Sequence, residues 1–130
     1  KPLSKIASGG ELSRIMLAVK TVLSGRDKID TLIFDEVDAG VSGAAANRIG
    51  EKLRQVSENR QVLCITHLAQ IAAMADHHLR ISKHVEKGRT FTQVVPLDLE
   101  GRKRELARII GGEEITQLQL DMAGEMLKRP

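Results

Sequence analysis

The chain has 130 residues, 42% apolar and 28% charged, with a net charge of +3 and a pI near 9.3. This is the balance of one globular domain, or part of one, long enough to bury a core. With two Phe and no Tyr or Trp it lacks an aromatic platform for stacking single-stranded nucleic acid, and no apolar run approaches the ~20 residues of a membrane span. The single Cys64 excludes an internal disulfide framework and fits a reducing, cytoplasmic setting. Mild basicity permits contact with nucleic acid without arguing for it. No signal peptide is expected from the polar start "KPLSK", and a first residue of Lys suggests a segment of a longer protein.

The stretch "SGGELSRIMLAVKTVLSG" predicts a first helix. Ser8 stands as an N-cap with Glu11 three residues on, Leu12, Ile15, Met16, Val19, Val22 and Leu23 recur at helical spacing, and Gly25 closes it. Leu32-Ile33-Phe34, ending in acids, reads as a buried parallel strand. A second helix is predicted from near Gly43 to near Ser57, then a second buried strand in "RQVLCITH" and a short helix in "LAQIAAMADH". "HLRISKHVEK" and "RTFTQVVPLD" read as strands paired antiparallel through a turn near Gly88. "EGRKRELARIIGG" and "EEITQLQLDMAGEMLKR" read as two final helices, broken at Gly111-Gly112. Strands alternating with crossover helices indicate an α/β fold, a mostly parallel sheet flanked by helices. In such sheets ligands bind beyond the carboxyl ends of the strands. Asp35-Glu36 and Thr66-His67 both follow strand ends, so a carboxylate pair and an imidazole are expected on one edge of the sheet.

Four short stretches can carry chemistry, and each has a plain structural alternative. "LIFDE" fits a Walker B strand, in which rigid apolar residues hold Asp35 for Mg²⁺ and Glu36 for an attacking water; it also fits a buried strand ending in solvated acids. His67 after "VLCIT" could donate to a phosphate or be a structural strand-end residue. "SGGE", residues Ser8 to Glu11, could hold an anion where glycines and a helix N-terminus converge, or be a capping box. "DAGVSG", from Asp38 to Gly43, could be a turn or a loop that reads a neighbour.

In this order and spacing the four stretches resemble the C-terminal half of the head of an ABC-type ATPase. "ASGGE" is similar to the ABC signature, "TLIFDE" to the Walker B strand, "VDAG" to the D-loop, and His67 to the switch histidine. "LSKIASGGELSRIMLAVK", "TLIFDEVDAGVSG", "ITHLAQIAAMADHHLRISK" and the ending "ARIIGGEEITQLQLDMAGEML" resemble the RecN family, bacterial DNA-repair proteins of the SMC-like group, over essentially the whole of residues 1–130. The resemblance implies ATP and Mg²⁺ as ligands. It implies that Asp35 binds Mg²⁺ and Glu36 polarises the water. Ser8, Gly9, Gly10 and Glu11 would meet ATP held by a second head, with the first three at its γ-phosphate. Asp38 would couple the two sites across the dimer, and His67 would sense the γ-phosphate in its own site. The expected partners are an N-terminal P-loop half of the same protein, a second head in a homodimer, and DNA, with no membrane. The expected setting is the bacterial cytoplasm, at the nucleoid.

No stretch reads G-x-x-x-x-G-K-[ST], so the main phosphate cradle is absent and the chain is incomplete as an ATPase without that P-loop half. In SMC-like proteins the head is split by a long coiled coil, and this chain resembles the second half. Two rival readings are a non-catalytic module for nucleotide-dependent dimerisation and a fragment of an ABC transporter ATPase. The basic residues of "EGRKRELAR" with Arg80, Lys83, Lys87 and Arg89 read as a solvated face or as DNA phosphate contacts. His77, His78 and His84 lack the cysteines or acids that would complete a metal site. Met122 and Met126, with Leu118, read as helix packing.

Overall fold

The computed structural model describes residues 8–23 and 25–128. Residues 3–7, quoted above beside the glycines, Ser24 and Arg129 lie outside them. Among the described residues nine elements follow in the predicted order: α1 (Gly9–Val22), β1 (Thr31–Asp35), α2 (Gly43–Ser57), β2 (Gln61–Ile65), α3 (Ala69–Ala72), β3 (Leu79–Glu86), β4 (Arg89–Pro96), α4 (Leu99–Gly111) and α5 (Gln117–Leu127). They divide into two compact units, residues 1–74 and 75–130. The strands form two separate pairs rather than one sheet, a parallel β1–β2 and an antiparallel β3–β4. No helix of the described residues is long and apolar enough to cross a membrane.

In the first unit β1 and β2 pair in parallel from Thr31↔Gln61 to Asp35↔Ile65, joined by α2. The pleat sends Leu32, Phe34, Val62 and Cys64 to one face. There they pack with Ile49, Leu53 and Val56 of α2, Leu17 of α1, and Val37 and Ile71. α2 supplies this face because Ala46, Ile49, Gly50, Leu53 and Val56 recur at i, i+3, i+4, i+7 and i+10. The opposite sheet face carries Ile33, Leu63 and Ile65, all exposed. The continuous apolar runs predict strands covered on both faces. The described residues cover one, because α1 and α2 both pack into the same core.

α1 departs from its sequence pattern. Its apolar stripe, Leu12, Ile15, Met16, Val19, Val22 and Leu23, is exposed, and the helix docks through Gly10 and Leu17 instead. Gly10, Arg14, Leu17 and Thr21 lie three or four residues apart and so share a face. Small size and hydrogen bonding, rather than hydrophobicity, choose that face. Beyond α1, Asp27 takes ion pairs from Lys20 at 3.0 Å and Arg60 at 2.7 Å. These bonds, with Lys20 first, hold its carboxyl below the usual aspartate range.

In the second unit β3 and β4 pair from Leu79↔Pro96 to Glu86↔Arg89. Lys87 and Gly88 close the hairpin, with φ of 50° and 75°. Two consecutive positive-φ residues match the twist of the flanking strands. Asp98 caps α4 by accepting from Gly101 N at 2.7 Å, and Thr116 caps α5 in a full capping box with Gln119. Leu106, Ala107 and Ala123 are fully buried between these helices.

Candidate functional site

Parallel register sets the geometry. Because Asp35, the last residue of β1, lies opposite Ile65, Asp35-Glu36 and the Thr66-His67 pair that follows β2 emerge side by side. The turn after β1 is tight: Ala39 N donates to Glu36 O at 3.0 Å, and Val41 N to Asp38 O at 3.2 Å. Glu36 itself sits at φ 63°, in the left-handed region that a non-glycine residue occupies at a cost of about 1 kcal/mol or more.

The start of α1 is stitched to this turn. Ser13 Oγ donates to Asp35 O at 2.6 Å, and Arg14 Nη1 donates to Val37 O at 3.2 Å and to Ala39 O at 2.7 Å. Gly10 is buried here. A Cβ in its place would lie 2.8 Å from the Ala39 Cβ and 3.0 Å from the Glu36 carbonyl. A Cβ on Gly9 would run into the Glu36 carboxylate. Ser8 caps the helix by accepting from Glu11 N at 3.2 Å, the serine half of the predicted capping box. Gly9 and Gly10, some 25 residues before Glu36, therefore lie against it, with the Glu36 carboxylate at the positive end of α1; Ser8 and Glu11 bond to each other at the cap.

Asp38 and His67 are also brought together. Asp38 is 2% exposed, and its Oδ2 accepts from Thr66 Oγ1 at 2.6 Å and from His67 N at 3.1 Å. The same oxygen lies 3.2 Å from His67 Nδ1, whose side chain is 77% exposed. Thr66 Oγ1 in turn accepts from Leu68 N at 3.1 Å. No hydrogen bond joins Glu36 to His67 among the described residues. Cys64, beneath this edge, has its thiol pushed up to about 12, first by burial and then by the charges of Asp38 and Asp35, which disfavours the thiolate.

Ser13 and Arg14 build the site without a role in the sequence pattern, and Thr66, placed at the strand end with His67, gains its task only from its bond to Asp38. The signal was present: a serine and an arginine directly beside an apolar stripe, and a hydroxyl next to the singled-out histidine. Of the remaining histidines, His84 stacks on Phe91 across the hairpin with centroids 5.5 Å apart.

No protein-family model matches the chain. Over 129 residues, 99% of its length, it is 54% identical to the DNA repair protein RecN of Bacillus subtilis (strain 168). It is 54% identical over 127 residues to the RecN of Halalkalibacterium halodurans and 50% identical over 127 residues to that of Haemophilus influenzae. The chain spans only 22 to 23% of the length of these relatives. Its fold matches a solved structure from work on ATP-driven dimerisation and DNA-stimulated activation of SMC ATPases, with a TM-score of 0.60 and 25% identity. That match covers 85% of this chain and 66% of the other. Over nearly its whole length, then, the chain is similar to one segment of the RecN DNA-repair proteins, and its α/β fold is that of the C-terminal lobe of an SMC-type ATPase head.

Proposed function

We propose that residues 1–130 form the C-terminal half of an ATPase head that hydrolyses ATP once completed by a P-loop half and a second head, and that the intact protein uses the cycle to hold DNA during double-strand-break repair at the bacterial nucleoid. One observation carries this reading: the acid tip of β1, the turn through Asp38, the Thr66-His67 pair and the glycine start of α1 converge at the carboxyl ends of two parallel strands. Ligand sites in open α/β sheets lie there.

The roles follow from position. Asp35 is exposed at the strand tip. A single carboxylate completed by phosphate oxygens and water is donor chemistry that Mg²⁺ accepts, and the ion would supply charge neutralisation at the phosphates. Glu36 is the general base that takes a proton from the attacking water. Its carboxylate rests on the start of α1, so it must swing from Gly9 toward the nucleotide as the heads close. Ser8, Gly9 and Gly10 offer a hydroxyl and backbone N–H groups to the γ-phosphate of ATP on the other head, where the dipole of α1 favours negative charge. His67, largely exposed, offers its ring to the γ-phosphate in its own site. Closure excludes bulk water, and loss of the γ-phosphate contacts parts the heads.

The test is Glu36→Gln in the full-length protein. Removing a general base lowers turnover by about 100-fold or more, and the variant is expected to accumulate as an ATP-bound dimer on size exclusion. Turnover at the wild-type rate overturns the base assignment. Turnover absent from the wild-type protein, with ATP-driven dimers still formed, would favour a non-catalytic dimerisation module.

A further inference from the structure

We infer that Asp38 and Thr66 are positioning residues for His67 within their own chain, holding the imidazole by Nδ1 so that Nε2 is the nitrogen presented to the nucleotide. This rests on the head reading above and gives Asp38 a task besides contact with a second head. Two donors converge on one buried oxygen, Asp38 Oδ2, Thr66 Oγ1 at 2.6 Å and His67 N at 3.1 Å, and His67 Nδ1 faces the same oxygen at 3.2 Å. A carboxylate that is 2% exposed and so engaged is held by its own chain.

The His67 ring, by contrast, is 77% exposed, so little packing restrains it. An exposed side chain exchanges rotamers freely unless a bond selects one. A carboxylate oxygen only accepts, so this contact favours the tautomer with the hydrogen on the ring nitrogen that faces it. Nε2, on the far side of the ring, is then left for an incoming phosphate oxygen. Thr66 completes the chain of bonds: its hydroxyl accepts from Leu68 N, which directs its own hydrogen to Asp38. The carboxylate is thereby aimed from one side by Thr66 and from the other aims His67.

The experiment is a double-mutant cycle on ATP turnover in the full-length protein, with Thr66→Val, Thr66→Ser, Asp38→Asn and His67→Ala. Thr66→Val keeps the shape and removes the hydroxyl. Misplacing a reacting group by an ångström costs up to about 100-fold, so kcat is expected to fall by about tenfold or more with KM little changed, while Thr66→Ser restores it. In the His67→Ala background, Thr66→Val and Asp38→Asn are expected to cost nothing further. Equal losses with and without His67 overturn the inference, as does a Thr66→Val protein with wild-type kcat. Glu36→Gln separates the two levels. If it still turns over ATP, the head reading falls and this one with it. If it is inactive while the cycle is additive, only the positioning role falls.

Discussion

Gly10 is the residue at which several constraints meet. It has to let α1 approach the turn after β1, and its neighbours on the turn are a methyl and two backbone carbonyls, none of which can rotate away. Helix propensity alone favours alanine by about 1 kcal/mol. Overpacking against rigid atoms costs about 1–3 kcal/mol, and here it exceeds the propensity gain. Gly10→Ala is therefore expected to lower the stability of the head by about 1 kcal/mol, read as a lower denaturant midpoint at unchanged slope. A raised midpoint would show that α1 is free to shift. Gly9 differs, because the atom in its way is the end of the flexible Glu36 side chain. Glu36 and Gly9 are so placed that the proposed base and the proposed phosphate cradle of one chain touch each other. Neither motif by itself implies this contact, since nothing in "SGGE" or "LIFDE" states how the two approach.

Elements here have two sides of different meaning. Phe34 is 2% exposed in the core, whereas its neighbour Ile33 is 68% exposed on the other face of β1. Phe34→Ala is expected to cost about 3–5 kcal/mol through lost burial and a cavity, enough to unfold the first unit in a thermal melt. Ile33→Asp should leave the melt of an isolated chain within about 0.5 kcal/mol, as exposed substitutions do. Parallel sheets are covered on both faces in complete α/β folds, so, on the proposed head reading, the same substitution should block co-purification with the proposed P-loop half. Retained association would mean that this face meets another element. The period-2 and period-3.6 patterns predict each strand and helix correctly in kind and order. They do not say which stripe of α1 is buried, and among the described residues nothing covers the apolar one. The face that docks was chosen by Arg14 reaching two turn carbonyls and by a glycine's lack of bulk.

At the scale of the molecule, the second unit carries a pH dependence of its own. His78 is pushed below its usual 6.5 by burial and then by the Arg102 charge, against a smaller pull upward from Glu105. The unfolded chain therefore binds the proton more readily than the folded one. The stability gained from neutral His78 is complete above pH 6.5 and is lost as pH falls from there toward the depressed value. Thermal melts of the protein at pH 7.5 and 5.5 should show the transition of residues 75–130 shifting down at the lower pH, and His78→Gln should remove that part of the slope. An unchanged slope in the variant would assign the effect elsewhere. The two-unit division, the open sheet face and the exposed α1 stripe sit with a chain that spans 22% of the Bacillus subtilis relative.

The amino-acid sequence alone determined the α/β class, the order of the nine elements among the described residues, the antiparallel hairpin through Gly88 and the residues at the two strand tips, because each depends on neighbours within a few positions: apolar period, caps and turn residues. Three things were decided only by tertiary structure: the burial of Asp38 beneath Thr66 and His67, the approach of Glu36 to Gly9, and the choice of Gly10 and Leu17 over the apolar stripe of α1. Each joins residues that parallel pairing and helix docking bring together across about 20 to 30 positions. Local pattern carries no information about which distant hydroxyl, carboxylate or glycine will stand opposite.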